Sequence, residues 1–207
     1  MERNGRIHTL SLDPGRRVYG ERLLDIGGQE WREWSMNRSK PAAYLALGGG
    51  FLPLRPDSRM LYLGAASGTT ASHFSDLLPE GAVFCLEFSP RTFRDLVRVC
   101  ERRSNMMPIL GDAASPSGFS FAVERADMVY QDVAQKGQAE MLADNMDAFG
   151  ADWGMLAVKA RSEDVTASPQ RVFQDACSKL EARGFKVREC LSLEPFEKDH
   201  AMVVVQR

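Results

Sequence analysis

The feature that most constrains this chain is Leu61-Tyr62-Leu63-Gly64-Ala65-Ala66-Ser67-Gly68-Thr69-Thr70, where an apolar run gives way abruptly to small residues and then to a helix-like segment. The pattern predicts a buried strand, a tight loop and a helix start. Small side chains there let backbone N–H groups approach a ligand closely, and the helix N-terminus adds partial positive charge. Such a loop, at the carboxyl edge of a parallel sheet, holds the polar part of a nucleotide-like ligand. Gly64 and Gly68 make a Gly-x-x-x-Gly spacing, not the Gly-x-Gly-x-x-Gly of dinucleotide enzymes, and an ordinary strand-to-helix turn satisfies the same pattern.

Downstream, short apolar segments alternate with helical ones, as βαβ units require. After the first core strand at 60–63, strands are expected at 83–88, 107–110, 126–130 and 153–158. Glu87 lies roughly 20 residues past the glycine loop, where an acidic side chain accepts hydrogen bonds from ribose hydroxyls; the alternative is a plain surface carboxylate. Asp112, after the third strand, is placed to accept from an adenine amino group or to form a turn. Lys159 ends the fifth strand, and its charge must face a carboxylate or solvent, because an unpaired buried ammonium is too costly. Helices are expected over 90–103, capped by Ser89 with Pro90 first, over 138–149, and over 169–183 between Ser168 and Gly184. In the first of these Phe93, Leu96, Val97 and Cys100 supply the buried stripe. Arg91, Arg94, Arg98 and Arg102 run along the other side, as a solvated face or as a patch for RNA or an acidic partner. The last two apolar segments, 185–193 and 201–206, are joined by a short connection and so pair antiparallel. The expected fold is α/β: a seven-stranded doubly wound, mostly parallel sheet with an antiparallel last strand.

Residues 1–45 differ, and form a small β-rich appendage to a main domain over 46–207. Ile7–Leu12 and Val18–Leu24 are partly alternating segments around Asp13-Pro14-Gly15, which predicts a hairpin or ribbon. Trp31 and Trp34 either pack this part onto the main domain or form a platform for a base or a partner. Arg38-Ser39-Lys40-Pro41 leads into a helix over 42–47, broken by Gly48-Gly49-Gly50.

At 207 residues the chain supports one good-sized α/β domain with a small appendage. No apolar run is long enough to span a membrane, and the N-terminus lacks a signal-peptide pattern. Cys85, Cys100, Cys177 and Cys190 are scattered, which favours buried free thiols in a reducing compartment over disulfides or a metal site. A formal net charge of −2 lacks the basic excess of a protein that grips nucleic acid unaided.

Taken together, several segments carry a specific resemblance. These are Arg38-Ser39-Lys40, the loop from Leu61 through His73, Asp132-Val133-Ala134-Gln135, Lys159-Ala160-Arg161-Ser162 and Asp199-His200-Ala201-Met202. In this order they resemble the fibrillarin family, and particularly its archaeal RNA 2′-O-methyltransferases, from about Val18 to the C-terminus. The resemblance implies a Rossmann-like methyltransferase fold over 46–207, S-adenosylmethionine as cofactor and an RNA ribose 2′-hydroxyl as acceptor. Carried over by position, Gly64, Ala65, Ser67, Gly68, Thr69 and Thr70 form the methionine-side loop, and Glu87 with Phe88 holds ribose and adenine. Asp112 and Ala113 hold the adenine edge, and Asp132, Val133, Ala134 and Gln135 close the site near the sulfonium. The implied catalytic set is Lys40, Asp132, Lys159 and His200. Two lysines converging on one aspartate suit proton removal from a poor nucleophile, with either Lys159 or Asp132 as base. The family also implies partners: a Nop-family scaffold protein, a box C/D guide RNA, a kink-turn-binding ribosomal-type protein and target rRNA or tRNA, with no membrane, in the archaeal cytoplasm. Delegating target choice to a guide explains how a near-neutral chain acts on RNA. The alternatives are a same-fold enzyme with a protein acceptor such as glutamine, a non-catalytic subunit, and a more distant dinucleotide oxidoreductase.

Overall fold

A computed structural model describes every residue from Met1 to Arg207. The first four strands, β1 (Glu2–Arg3), β2 (Arg6–Leu10), β3 (Leu23–Ile26) and β4 (Gln29–Trp34), form an antiparallel sheet in the order β1-β2-β4-β3. The hairpin expected between 7–12 and 18–24 does not form. β2 pairs instead with β4, setting Thr9 opposite Arg32. Residues 18–22 stay out of the sheet because the Glu21 carboxylate turns back to accept the N–H groups of Val18 and Tyr19, at 3.0 and 2.9 Å. The true hairpin joins β3 to β4 through Gly27-Gly28, both at positive φ, the two-residue turn that glycines favour.

After α1 (Lys40–Ala46) comes the main sheet of seven strands. Its elements in chain order are β5 (Arg59–Leu63), α2 (Thr69–Leu77), β6 (Ala82–Glu87), α3 (Pro90–Cys100), β7 (Met106–Leu110), β8 (Met128–Gln131), α4 (Gln138–Ala148), β9 (Trp153–Lys159), α5 (Ala160–Glu163), α6 (Pro169–Ala182), β10 (Lys186–Ser192) and β11 (His200–Gln206). The strand order is β10-β11-β9-β8-β5-β6-β7, parallel except for β11, which runs antiparallel to both β9 and β10. Alternation along β5 sends Leu61 and Leu63 to one face, under α4 and α6. Met60 and Tyr62 face the other, under α1, α2 and α3. Ser89 and Ser168 cap α3 and α6 through the N–H groups of Thr92 and Arg171, as expected.

The order reverses between β5 and its neighbours: one crossover leads to β6, while β8 returns on the other side of β5. The loops that follow β5 and β8 diverge there and leave a crevice at the carboxyl edge, where open α/β sheets place their ligands.

The N-terminal sheet is joined to α2 by a buried polar cluster. Arg32, wholly buried, donates to the Glu21 carboxylate at 2.6 and 2.8 Å, to Asp76 at 2.7 Å and to the Ser72 hydroxyl at 2.9 Å. Asp76 also takes a 2.7 Å bond from Arg103 and one from the Thr9 hydroxyl. His73 sits in the same cluster, its ring nitrogens bonded to the hydroxyls of Thr9 and Tyr19 at 2.8 and 2.9 Å. Burial and the neighbouring Arg32 and Arg103 hold its pKa well below 6.5. Burial pushes the Tyr19 phenol up to about 12. Trp34 stacks on His73 with centroids 5.2 Å apart, whereas Trp31 is half-exposed on the opposite face of β4. Trp34 therefore packs the sheet onto the main fold, and Trp31 does not.

All four cysteines are free thiols; Cys85 and Cys100 are buried, Cys177 is half-buried and Cys190 is exposed. The expectation of burial fails for Cys190 because β10 is an edge strand whose alternate residues face solvent, and holds only in part for Cys177 on α6.

Candidate active site

β5 ends at Leu63 because Gly64, at φ +82°, turns the chain. A side chain at Gly64 would place its Cβ 2.9 Å from the Asp132 carbonyl, so the two diverging loops can touch only if this residue is glycine. The Asp132 N–H completes the join by donating to the Leu63 carbonyl at 2.9 Å. Asp132 thereby starts its loop against the glycine turn.

Its carboxylate is shared by two lysines. Lys159 Nζ lies 2.7 Å from Oδ1 and also donates to the Asp132 backbone carbonyl at 3.0 Å. Lys40 Nζ donates to Oδ2 at 3.1 Å. The three side chains are 15–17% exposed, screened from bulk water yet open to an acceptor. The Lys159 charge thus faces a carboxylate, as the end of a buried strand required. Each lysine is placed by its own element: Lys159 closes β9, and Lys40 opens α1. Tyr44 on α1 donates to Glu189 of β10 and ties that helix to the sheet edge. His200 stands opposite Lys159 in the β9–β11 register, and its Nδ1 donates to the Lys198 carbonyl at 2.7 Å. It shares the lysine's side of the sheet without touching Asp132.

Beside this cluster lies a cavity of about 230 Å³, lined by Gly64, Glu87, Phe88, Asp112, Ala113 and, from the second loop, Asp132, Val133 and Ala134. Lys159, Ala66, Leu86 and Gly111 complete its wall. Glu87 does more than face the cavity. One carboxylate oxygen accepts the Ala66 N–H at 2.9 Å and the other the Ser89 N–H at 2.8 Å, so it pins the glycine loop and the start of α3 together. Ala66 itself adopts a left-handed φ of +49°. Phe88 is 72% exposed at the lip, an aromatic face open to a flat ring. Asp112 is exposed and accepts the Ala114 N–H at 2.9 Å, so it both forms a turn and meets the cavity.

Six of the expected cofactor residues do not line this cavity: Ala65, Ser67, Gly68, Thr69, Thr70 and Gln135. Gly68, at φ +88°, is the residue before α2, and Thr69 opens that helix. Thr70 turns inward, its hydroxyl donating to Ser39 Oγ at 2.9 Å. Ser39 also accepts from Trp34 Nε1 at 2.8 Å, so one buried hydroxyl ties the glycine-loop helix and the N-terminal sheet to the residue preceding Lys40. Gln135 is exposed and packs against Met141 Sδ. The helix expected over 90–103 ends at Cys100, and the basic row is half paired: Arg98 of α3 meets Asp95 and Arg102, past the helix end, meets Asp13, leaving Arg91 and Arg94 without an acidic partner.

Sequence alone marks the Arg38-Ser39-Lys40 motif but not the tethering role of Ser39, and gives no sign of the roles of Gln138 and Glu163. Glu163 accepts from the N–H groups of Gly137 and Gln138 at 3.1 and 3.2 Å, capping α4 from α5. No local signal marks such a cap, since the acceptor comes from another helix.

A doubly wound sheet with an antiparallel strand β11, and an acid-and-glycine crevice at its switch point, is the architecture shared with Rossmann-like methyltransferases. Within it, the chain belongs to the fibrillarin family, whose model matches residues 1–207. The fibrillarin-like rRNA/tRNA 2′-O-methyltransferase of Methanothermobacter thermautotrophicus is 48% identical over 99% of this chain and 92% of its own. The fibrillarin of Aeropyrum pernix, solved with natively bound S-adenosyl-L-methionine, superposes with a TM-score of 0.89 at 45% identity, over 97% of this chain and 88% of its own. A fibrillarin solved in complex with Nop5p superposes with a TM-score of 0.87 at 41% identity, over 96% and 93%.

Proposed function

We infer that this protein is an S-adenosylmethionine-dependent RNA 2′-O-methyltransferase that works on a Nop-family scaffold. The observation that carries the reading is the Lys40–Asp132–Lys159 cluster, set against the Gly64–Glu87–Phe88 cavity in a chain of this family. The residues fit the cofactor: Glu87 offers carboxylate oxygens for ribose hydroxyls, Phe88 a face for adenine, and Asp112 an acceptor for its amino group. When bound, S-adenosylmethionine supplies an electrophilic methyl group on a sulfonium.

The side chains have the complementary task of making a ribose hydroxyl nucleophilic and aligned. Lys159 donates one hydrogen bond to the Asp132 carbonyl, and its charge lies 2.7 Å from the Asp132 carboxylate. As a free amine, Lys159 has a lone pair that can accept the hydroxyl proton. Lys159 accordingly takes the 2′-hydroxyl proton, Asp132 orients the amine, and Lys40 with His200 seats the ribose-phosphate.

A box C/D guide RNA and a kink-turn-binding protein complete the particle and select target nucleotides in rRNA or tRNA. The near-neutral charge supports this division of labour, because a subunit that does not choose the sequence needs no large basic surface. Free thiols throughout the chain support a reducing setting such as the archaeal cytoplasm.

Label transfer from S-adenosylmethionine to a guide-matched RNA in a reconstituted particle tests the reading, beside a substrate with 2′-deoxy at the target nucleotide. Transfer to the ribose substrate alone is expected. Transfer to both would move the acceptor off the 2′-hydroxyl, and no transfer with cofactor bound would refute the assignment.

A further inference from the structure

Gln138 lies outside the cavity lining, takes no part in the chemistry above and is 1% exposed. It nevertheless holds both backbone groups of Lys159. Its Oε1 accepts the Lys159 N–H at 2.9 Å, and its Nε2 donates to the Lys159 carbonyl at 3.1 Å. The reason lies in the sheet. The β8–β9 ladder stops at Gln131 opposite Leu156, so β9 runs three residues further with no neighbour on that side. Unpaired backbone groups at the end of a buried strand are costly. The amide of Gln138 replaces the missing strand and satisfies both.

The same residue is bonded to the other half of the site. Its backbone carbonyl accepts from Gln131 Nε2 at 2.8 Å, and Gln131 immediately precedes Asp132. Glu163 receives the remaining Nε2 bond at 3.1 Å and fixes the amide's orientation. One residue therefore joins the strand end that carries Asp132 to the strand end that carries Lys159.

We propose that Gln138 is a positioning residue for methyl transfer, setting the register of the Lys159 amine against Asp132 by holding the Lys159 backbone. The proposal rests on the reading of Lys159 and Asp132 as the proton-handling pair. Gln138 touches neither substrate nor cofactor, so its loss acts on the rate of the bound complex rather than on binding.

The test compares Gln138→Leu, Lys159→Arg and the double variant in the reconstituted particle. It measures transfer rate against pH at saturating RNA and cofactor, KM for the guide-matched RNA, and affinity for S-adenosylhomocysteine. Gln138→Leu should slow transfer about 10²-fold, the scale of a misplaced reacting group. It should also alter the pH profile, with KM and S-adenosylhomocysteine affinity unchanged. In the Lys159→Arg background it should add nothing further, because both changes remove one function. An unaltered rate, a loss that multiplies in the double variant, or a parallel loss of cofactor affinity with an unaltered pH profile would each overturn the proposal. If Gln138→Leu does not fold, Gln138→Asn keeps a buried amide that is one methylene too short to hold both Lys159 backbone groups, and carries the same expectation. Full activity of Lys159→Arg alone would instead sink the base assignment, and is read without reference to Gln138.

Discussion

Replacing Arg32 with methionine removes the charge at the centre of the joint between the N-terminal sheet and α2 while roughly keeping side-chain bulk. The guanidinium and both of its carboxylate partners are 0% exposed, so water offers no compensation. Removing one member of a buried pair costs about 3–5 kcal/mol, because the other charge is left without its counterion. Here the partners are not abandoned entirely. Glu21 keeps the N–H groups of Val18 and Tyr19, and Asp76 keeps Arg103 and the Thr9 hydroxyl. That places Arg32→Met in the lower half of the range, about 3–4 kcal/mol. At about 2–4 °C per kcal/mol for a chain of this size, the melting temperature should fall by about 6–16 °C. Calorimetry and urea titration at pH 7 measure it. Adding Glu21→Gln should recover part of the loss, since an amide at 21 still accepts both N–H groups and leaves no bare charge. A loss under about 1 kcal/mol, the worth of an exposed pair, would refute the reasoning. So would a double variant no more stable than Arg32→Met alone.

Other consequences follow from the same geometry. Gly64→Ala and Gly15→Ala share a positive φ, but only at Gly64 does the new Cβ meet backbone, whereas nothing lies within 4 Å of Gly15. Gly15→Ala should lose about 1–2 kcal/mol in thermal melts, Gly64→Ala more than that, and only Gly64→Ala should also lose methyl transfer, through displacement of Asp132. Glu87→Ala removes two charge-assisted bonds along with the ribose acceptor, and should weaken S-adenosylhomocysteine binding about 10- to 100-fold in titration calorimetry. Unchanged affinity would free Glu87 of that role. Acid should destabilise the fold in two stages. His73 is held neutral below its ordinary 6.5, so the unfolded chain takes up the proton first and stability drops as pH falls through the range under 6.5. The Glu21 carboxyl is also depressed: burial works to raise it, but the N–H groups of Tyr19 and Val18 and the Arg32 guanidinium outweigh that, and its contribution is lost only below about 4.5. Urea titrations from pH 7 to pH 4 should show the first stage in the parent and not in His73→Gln.

Much of the site was legible because its residues sit where strands stop. An apolar run that breaks into glycine, an acid closing the next strand and a lysine closing a later one are local patterns, and the motifs around them carry the family resemblance. Three things were not legible in that way. Thr70 turns to Ser39 instead of the cavity, a choice between two faces of one helix turn that depends on what packs there. The arginine row along and just past α3 loses half its free charge to Asp95 and to Asp13, which lies 89 residues from Arg102. The N-terminal pairing went to β4 because Glu21 folds back on its own turn, and because Gly27-Gly28 outranked Asp13-Pro14-Gly15 as a hairpin turn.

The sequence alone determined the periodic elements, their order and the chemistry offered at each strand end, since these depend on neighbours a few residues apart. Tertiary structure decided which charges are buried and with whom. Lys40 meets Asp132 across 92 positions, and Arg32 meets Asp76 across 44. Whether a charge is an exposed ornament or a fixed part of a site depends on the solvent its partners exclude, and only the folded chain brings those partners together.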